Sequence, residues 1–186
     1  DGLVVRGVPT SEETRRLAQS LGVPLLPVEQ VERIHLDIDG ADEVDPGGHL
    51  IKGGGGALLR EKIIASASDH FIVIADPSKQ VDRLGAFPLP VEVTPFGMTL
   101  TARKLHDALR ASGIDKPKVT LRGGAEPFLT DGGNHILDCA CGRIPDIEAL
   151  AARLADIPGV VDHGLFIGMA RTVIIGNEGG ATVFEY

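Results

Sequence analysis

The chain has 186 residues, with 18 Lys+Arg against 26 Asp+Glu, and a formal net charge of −8. That acidity, with 4% aromatic residues and no Trp, argues against a general nucleic-acid binder, a base-stacking platform or a polybasic membrane anchor. No apolar run approaches the ~20 residues of a bilayer span, and the two cysteines, Cys139 and Cys141, make no disulfide framework, so reduced thiols and a cytoplasmic location are expected.

In chain order, Leu3-Val4-Val5 predicts an opening strand. Thr10 and Glu13 form a capping box that starts a helix, and Gly22 closes it. Ile34, Leu36 and Ile38 alternate with His35, Asp37 and Asp39, the pattern of a strand with one apolar face. Asp45-Pro46-Gly47-Gly48 marks a turn. Gly53 to Gly56 lead into residues 57–65, apolar at helical spacing. Phe71 to Ala75 is a continuous apolar run, expected for a parallel strand buried on both faces. Residues 1–89 therefore read β-α-β-α-β, an open α/β layer with right-handed crossovers.

Past Pro88 the rhythm changes. Val91-Glu92-Val93 predicts a strand, residues 99–109 a helix, and Lys118-Val119-Thr120-Leu121 and His135 to Cys139 two strands around a Gly/Asp-rich turn. Residues 146–154 predict a helix and Val160-Val161 a last strand. That order, β-α-β-β-α-β, is the split βαβ or ferredoxin-like unit. Val173-Ile174-Ile175 is assigned back to the first sheet. The expected fold is α/β: a Rossmann-like open parallel sheet from residues 1–89 and 165–186, with a ferredoxin-like α+β domain of residues 90–164 inserted. The 24 glycines, about twice ordinary usage, sit at turns and in one tetraglycine stretch, not in a repeat.

Three stretches could carry chemistry. Asp37-Ile38-Asp39-Gly40-Ala41-Asp42-Glu43 puts four carboxylates at a strand end, the edge where open α/β sheets bind ligands. Such acids repel unless a cation, a lysine or a shared proton sits among them. The competing reading is a capped polar loop. A calcium loop is a poor fit, because the fifth position from Asp37 is Ala41. An Asp-x-Asp magnesium phosphatase is a better rival. The second stretch is Lys52, Gly53 to Gly56 and the helix bearing Glu61. A glycine turn at a helix start offers backbone N–H groups to an oxyanion or phosphate, and a glutamate facing a lysine is a natural general base. The bland alternatives are a flexible turn and a solvated carboxylate. The third is Asp76-Pro77-Ser78-Lys79 at another strand end, where Lys79 could face the same crevice or be a surface lysine. His135, Cys139 and Cys141 share one strand region, but three candidate ligands on one strand rarely close a tetrahedral metal site.

Asp39-Gly40-Ala41-Asp42-Glu43, Leu50-Ile51-Lys52-Gly53-Gly54-Gly55, Arg60-Glu61-Lys62-Ile63, Ser78-Lys79-Gln80-Val81, Phe87-Pro88-Leu89-Pro90-Val91-Glu92-Val93 and Pro158-Gly159-Val160-Val161, in this order, resemble ribose-5-phosphate isomerases of type A over nearly all of the chain. The resemblance implies an aldose–ketose isomerase of the non-oxidative pentose phosphate pathway. It would interconvert D-ribose 5-phosphate and D-ribulose 5-phosphate through an enediolate, without metal or organic cofactor, as a homodimer or homotetramer. By position, Glu61 matches the family's general base, which moves a proton between C2 and C1. Lys52 matches the lysine beside the reacting oxygens, and Lys52, Gly53, Gly54 and Gly55 match the substrate loop. Asp39 and Asp42, with Gly40 and Ala41 between them, match the segment that binds the sugar hydroxyls and assists ring opening. Lys79 matches a further substrate lysine.

The family opens with a strand–loop–helix unit whose Gly-Thr-Gly-Ser-Thr-like loop grips the phosphate. This sequence starts after it, lacking roughly 30 to 45 residues, about the size of such a unit, so residues 1–186 alone are expected to be nearly inactive. All candidate chemical residues precede Pro88. The second unit is therefore expected at a subunit interface or over the cleft, without supplying the main catalytic groups. Two other functions stay open: a non-catalytic sugar-phosphate sensor, and the magnesium phosphatase. Neither a nucleic-acid partner nor a membrane is expected.

Overall fold

The computed structural model describes residues 2–186. Helix α1 (Glu12–Ser20) starts at Ser11, not Thr10: the Ser11 side chain accepts from the Thr14 N–H. Gly22 and Val23 close it by donating to Gln19 O and Ala18 O. The predicted opening strand is not formed, and Leu3, Val4 and Val5 are exposed. Apolar composition favours a strand only where a neighbouring edge is available to pair with it.

Strand β1 (Asp37–Asp39) is followed by a short hairpin, β2 (Glu43–Val44) and β3 (Leu50–Ile51), then α2 (Leu58–Ala67) and β4 (Phe71–Ala75). Next come β5 (Leu89–Val93), α3 (Met98–Ala111), β6 (Lys118–Leu121), β7 (His135–Ala140), α4 (Ile147–Ala155) and β8 (Val160–His163). Strands β9 (Leu165–Phe166), β10 (Thr172–Asn177) and β11 (Gly180–Glu185) complete the chain. Three sheets result. The first has the order β1-β4-β10-β11, with β1, β4 and β10 parallel and β11 returning as an antiparallel hairpin that the sequence pattern did not reveal. The second, β2-β3-β9, is a small antiparallel connector. The third, β6-β7-β5-β8, is antiparallel throughout and built from consecutive β-α-β-β-α-β elements, the ferredoxin-like arrangement expected.

Two apolar cores hold these layers. Phe71, Val73, Val173 and Ile175 of the parallel sheet pack with Val44, Leu50, Ala65 and Phe166. Val91, Val93 and Leu137 pack with Leu105 and Leu109 of α3 and Leu150 and Leu154 of α4. Each fully buried Leu or Val contributes about 1.5–3 kcal/mol of transfer free energy.

The alternation along β1 is real, but its polarity is the reverse of the prediction. Asp37 is buried, 9% exposed, while Ile38 is 56% exposed. Ile74 of β4 is exposed as well, so this strand is not buried on both faces. Periodicity identifies the two faces of a strand; which face is covered depends on what packs there. Among the described residues, no helix is long and apolar enough to cross a membrane.

Candidate active site

Strands β1 and β4 run parallel in register, Asp39 beside Val73, so the loops beyond their carboxyl ends open on one edge. From that edge the chain turns at Gly40 and returns beside β3, where Asp42 N–H donates to Ile51 O at 2.8 Å. Lys52 follows β3 and is anchored through its own N–H to Gly164 O at 2.9 Å. The glycine loop then closes on itself, Gly56 N–H to Gly53 O at 3.0 Å, and delivers α2 with Glu61 in its first turn.

The loop needs glycine for two different reasons. Gly53 has φ +103°, and a Cβ there would lie 2.8 Å from Leu58. Gly54 admits the Asp42 carboxylate so closely that a Cβ would lie 2.5 Å from its Oδ1. That approach is a hydrogen bond, Gly54 N–H to Asp42 Oδ2 at 2.7 Å.

Lys52 is the charge at the centre, its side chain only 4% exposed. Nζ donates to Asp39 Oδ2 at 2.9 Å and to Gly40 O, and lies 5.5 Å from the centroid of the Phe166 ring. Two of its three N–H groups are thus held, leaving one for the Glu61 side of the cleft. Glu61 Oε2 stands 3.4 Å from Nζ. Among the described residues it is the one buried side-chain oxygen or nitrogen with no hydrogen-bond partner. Burial raises the Glu61 pKa above the ordinary carboxylate value, Lys52 opposes that rise, and the negative charges of Asp39 and Asp42 add to it. Asp37, behind the site, is pushed up to about 6 by burial first and by Asp39 second.

Asp39 to Asp42, Lys52 to Gly55 and Glu61 line a single cleft of about 220 Å³. The acidic loop and the lysine–glycine stretch, separate in sequence, are therefore one site. Lys79 ends the 3₁₀ turn Pro77–Lys79 after β4, half-buried, and does not line the cleft. His135 and Cys139 lie on β7, away from Glu61. Burial raises the Cys139 thiol pKa and pushes that of Cys141 up to about 12. Among the described residues, no group of three or more His, Cys, Asp or Glu side chains is placed to hold a metal ion. A separate cleft of about 570 Å³ beside Arg83, Lys116 and Arg143 shares none of the site residues.

Sequence reading missed two residues. Glu43, buried on β2, accepts from the N–H groups of Gly85 and Phe87 and so seats the segment leading into β5. Arg122, just beyond β6, reaches the carbonyls of Gly53 and Gly54 at 2.9 and 3.1 Å. Glu43 was visible as part of the acidic motif, though not as a buried backbone acceptor. Nothing around Arg122 in the sequence points across to the glycine loop.

The family model for ribose 5-phosphate isomerase A (phosphoriboisomerase A) matches residues 6–180. The ribose-5-phosphate isomerase A of Maricaulis maris is 59% identical over 188 residues, covering 100% of this chain and 81% of that protein. That of Rhodopseudomonas palustris is 55% identical over 99% of this chain and 80% of its own length. Among solved structures, ribose 5-phosphate isomerase A from Methanocaldococcus jannaschii superposes with a TM-score of 0.87 at 35% identity, covering 99% of this chain and 80% of that one. A D-ribose-5-phosphate isomerase in complex with phospho-erythronic acid gives a TM-score of 0.87 at 38% identity, covering 97% of this chain and 78% of that one.

Proposed function

The chain belongs to the ribose 5-phosphate isomerase A family, and on that premise we propose how its own residues interconvert D-ribose 5-phosphate and D-ribulose 5-phosphate, the pentose phosphate isomerisation. A C–H bond beside a carbonyl is too weakly acidic for a free carboxylate, so the base must act where the enediolate is stabilised as it forms. Glu61 takes the proton from C2 of the open-chain aldose, and the C2–H electron pair becomes the C1–C2 double bond while O1 gains negative charge. Glu61 returns its proton to C1 while the O2 proton passes to O1, so that the C1–C2 electron pair forms the new C1–H bond, the O2–H pair forms the C2 ketone, and C1 keeps a hydroxyl. Lys52 supplies the positive potential beside these oxygens. Asp39 and Asp42 bind hydroxyls and carry protons during ring opening, with Gly40, Ala41 and Gly53 to Gly55 forming the walls. Lys79, beyond the neighbouring strand end, is the further substrate-binding lysine.

The observation that carries this reading is the buried, unpartnered Oε2 of Glu61 at 3.4 Å from Lys52. Burial keeps such a carboxylate basic, and the missing hydrogen-bond partner leaves its oxygen open to a substrate proton. A metal phosphatase would not need this pair, and a binding-only sensor would not need a poised base.

The protein acts in the cytoplasm as a homodimer or homotetramer. Support for assembly comes from two exposed apolar side chains close in sequence, Phe96, 94% exposed, and Leu100. Residues 1–89 and 165–186 form the catalytic domain and residues 90–164 the lid or assembly domain. The decisive experiment is turnover of ribose 5-phosphate in excess EDTA. Ribulose 5-phosphate formed at an unchanged rate supports the metal-free proton transfer, whereas release of inorganic phosphate that EDTA abolishes overturns it.

A further inference from the structure

The glycine loop is held from its far side by a residue of the β5-to-β8 unit. Arg122 Nη1 donates to Gly53 O at 2.9 Å and to Gly54 O at 3.1 Å. The rest of its guanidinium is paired with Asp138 of β7, Nε to Oδ2 at 3.0 Å and Nη2 to Oδ1 at 2.5 Å. Its backbone N–H is bonded to Ile136 O at 2.9 Å. A planar fork fixed at both ends in this way has little freedom.

In a trans peptide the C=O and N–H point in opposite directions. Holding the Gly53 carbonyl on the Arg122 side sends the Gly54 N–H the other way, where it meets Asp42 Oδ2 at 2.7 Å. Holding the Gly54 carbonyl there turns the next N–H, that of Gly55, away from Arg122 in the same manner. Gly55 lines the cleft, its N–H has no acceptor among the described residues, and a Cβ on it would meet nothing within 4 Å. Phe128 closes the other flank, its ring 5.8 Å from the Arg122 Cζ and packed against Gly56.

We infer that Arg122 is a positioning residue for the isomerisation: it sets the Gly54–Gly55 peptide so that the free Gly55 N–H faces the reacting oxygens beside Lys52. This rests on the reading that substrate lies against residues 52–55. Asp138 aims the guanidinium, and the β5-to-β8 unit thereby acts on the chemistry without touching substrate. Lysine cannot replace it, because one ammonium group cannot grip two successive carbonyls and a carboxylate in a plane.

The test compares Arg122→Ala, Arg122→Lys and Glu61→Gln with the unsubstituted chain. In Arg122→Ala, kcat for ribose 5-phosphate should fall about 10²-fold, the cost of small misplacements at a reacting centre, with KM little changed. Added methylguanidinium should restore part of that kcat and leave Glu61→Gln as it was. Arg122→Lys, which keeps the charge, should also lose kcat, with its thermal stability measured alongside. An unchanged kcat in Arg122→Lys, or a loss in Arg122→Ala that follows its thermal stability and resists methylguanidinium, overturns the role of Arg122. Full turnover in Glu61→Gln overturns the site reading itself and is told apart by that variant alone.

Discussion

Glu61 Oε2 lies 3.4 Å from Lys52 Nζ without a hydrogen bond to it or to any other group among the described residues. A surface carboxylate would be solvated and a structural one would be fully paired. This one is attracted to its lysine and still has an open lone pair. Glu61→Gln keeps the shape and removes the base, so turnover should drop about 10²–10⁴-fold, while binding of the pentose phosphate changes little. Because burial and the neighbouring carboxylates hold the Glu61 pKa high, the acid limb of the kcat/KM profile should fall above the ordinary glutamate value. A variant with near-normal turnover would remove Glu61 from the chemistry.

Lys52 has a different task. Its contacts to Asp39 and Gly40 and the Phe166 ring fix the ammonium in place, so in the proposed reaction its charge is already oriented when the enediolate forms. Lys52→Met should cost about 3–4 kcal/mol of transition-state stabilisation, the scale of losing an oxyanion donor, and it should appear in kcat. A rise in KM with kcat intact would make Lys52 a uniform binding contact instead.

Why the site was legible and parts of the fold were not follows from where the information lies. Asp39 to Asp42, Lys52 to Gly55 and Glu61 fall in three short stretches, and each carries its own reason to be where it is: a strand end, a glycine turn, a first helical turn. The β-α-β-β-α-β order could be read for the same reason, since each element has its own periodicity. What could not be read depends on partners remote in sequence. Arg122 meets Gly53 across 69 residues, and alone it looks like a solvated arginine before a turn. Leu3 to Val5 have strand composition but no pairing edge among the described residues. The inversion at Asp37 and Ile38 depends on which side of β1 is covered, and alternation is blind to that. Lys79 stands just beyond the end of β4, where the strand-end rule expects it, without lining the cleft itself.

Gly54 and Gly55 are adjacent and should behave differently. Alanine at Gly54 would put a Cβ 2.5 Å from Asp42 Oδ1, so the Asp42 contact must break and turnover should fall by about 10²-fold. Alanine at Gly55 meets nothing within 4 Å and should leave stability within about 0.5 kcal/mol. Thermal unfolding and steady-state kinetics on both variants check the contrast. Equal loss of stability in the two would mean that the loop is held more tightly at Gly55 than its open surroundings indicate.

His163 and Asp37 should give the protein two opposing pH dependences of stability. His163, at the end of β8, accepts the Leu165 N–H at Nδ1. Its pKa is pushed down to about 4 by burial, then by the Lys62 charge, with Asp162 opposing. The unfolded imidazole takes its proton near 6.5. Between these values the unfolded chain binds more protons, so the His163 contribution is complete above pH 6.5 and lost as pH falls towards 4. Asp37 runs the other way. Folded, it holds its proton up to about pH 6, against an ordinary value of 3.8, so its contribution is complete at low pH and lost as pH rises to 6. The two contributions therefore oppose each other as the intact chain is acidified. His163→Gln removes the imidazole, so Tm should then rise on acidification from pH 7 to 4.5. Asp37→Asn removes the other, so Tm should fall over the same range more steeply than in the parent. Parallel Tm curves for the two variants would show that neither group titrates across the folding transition.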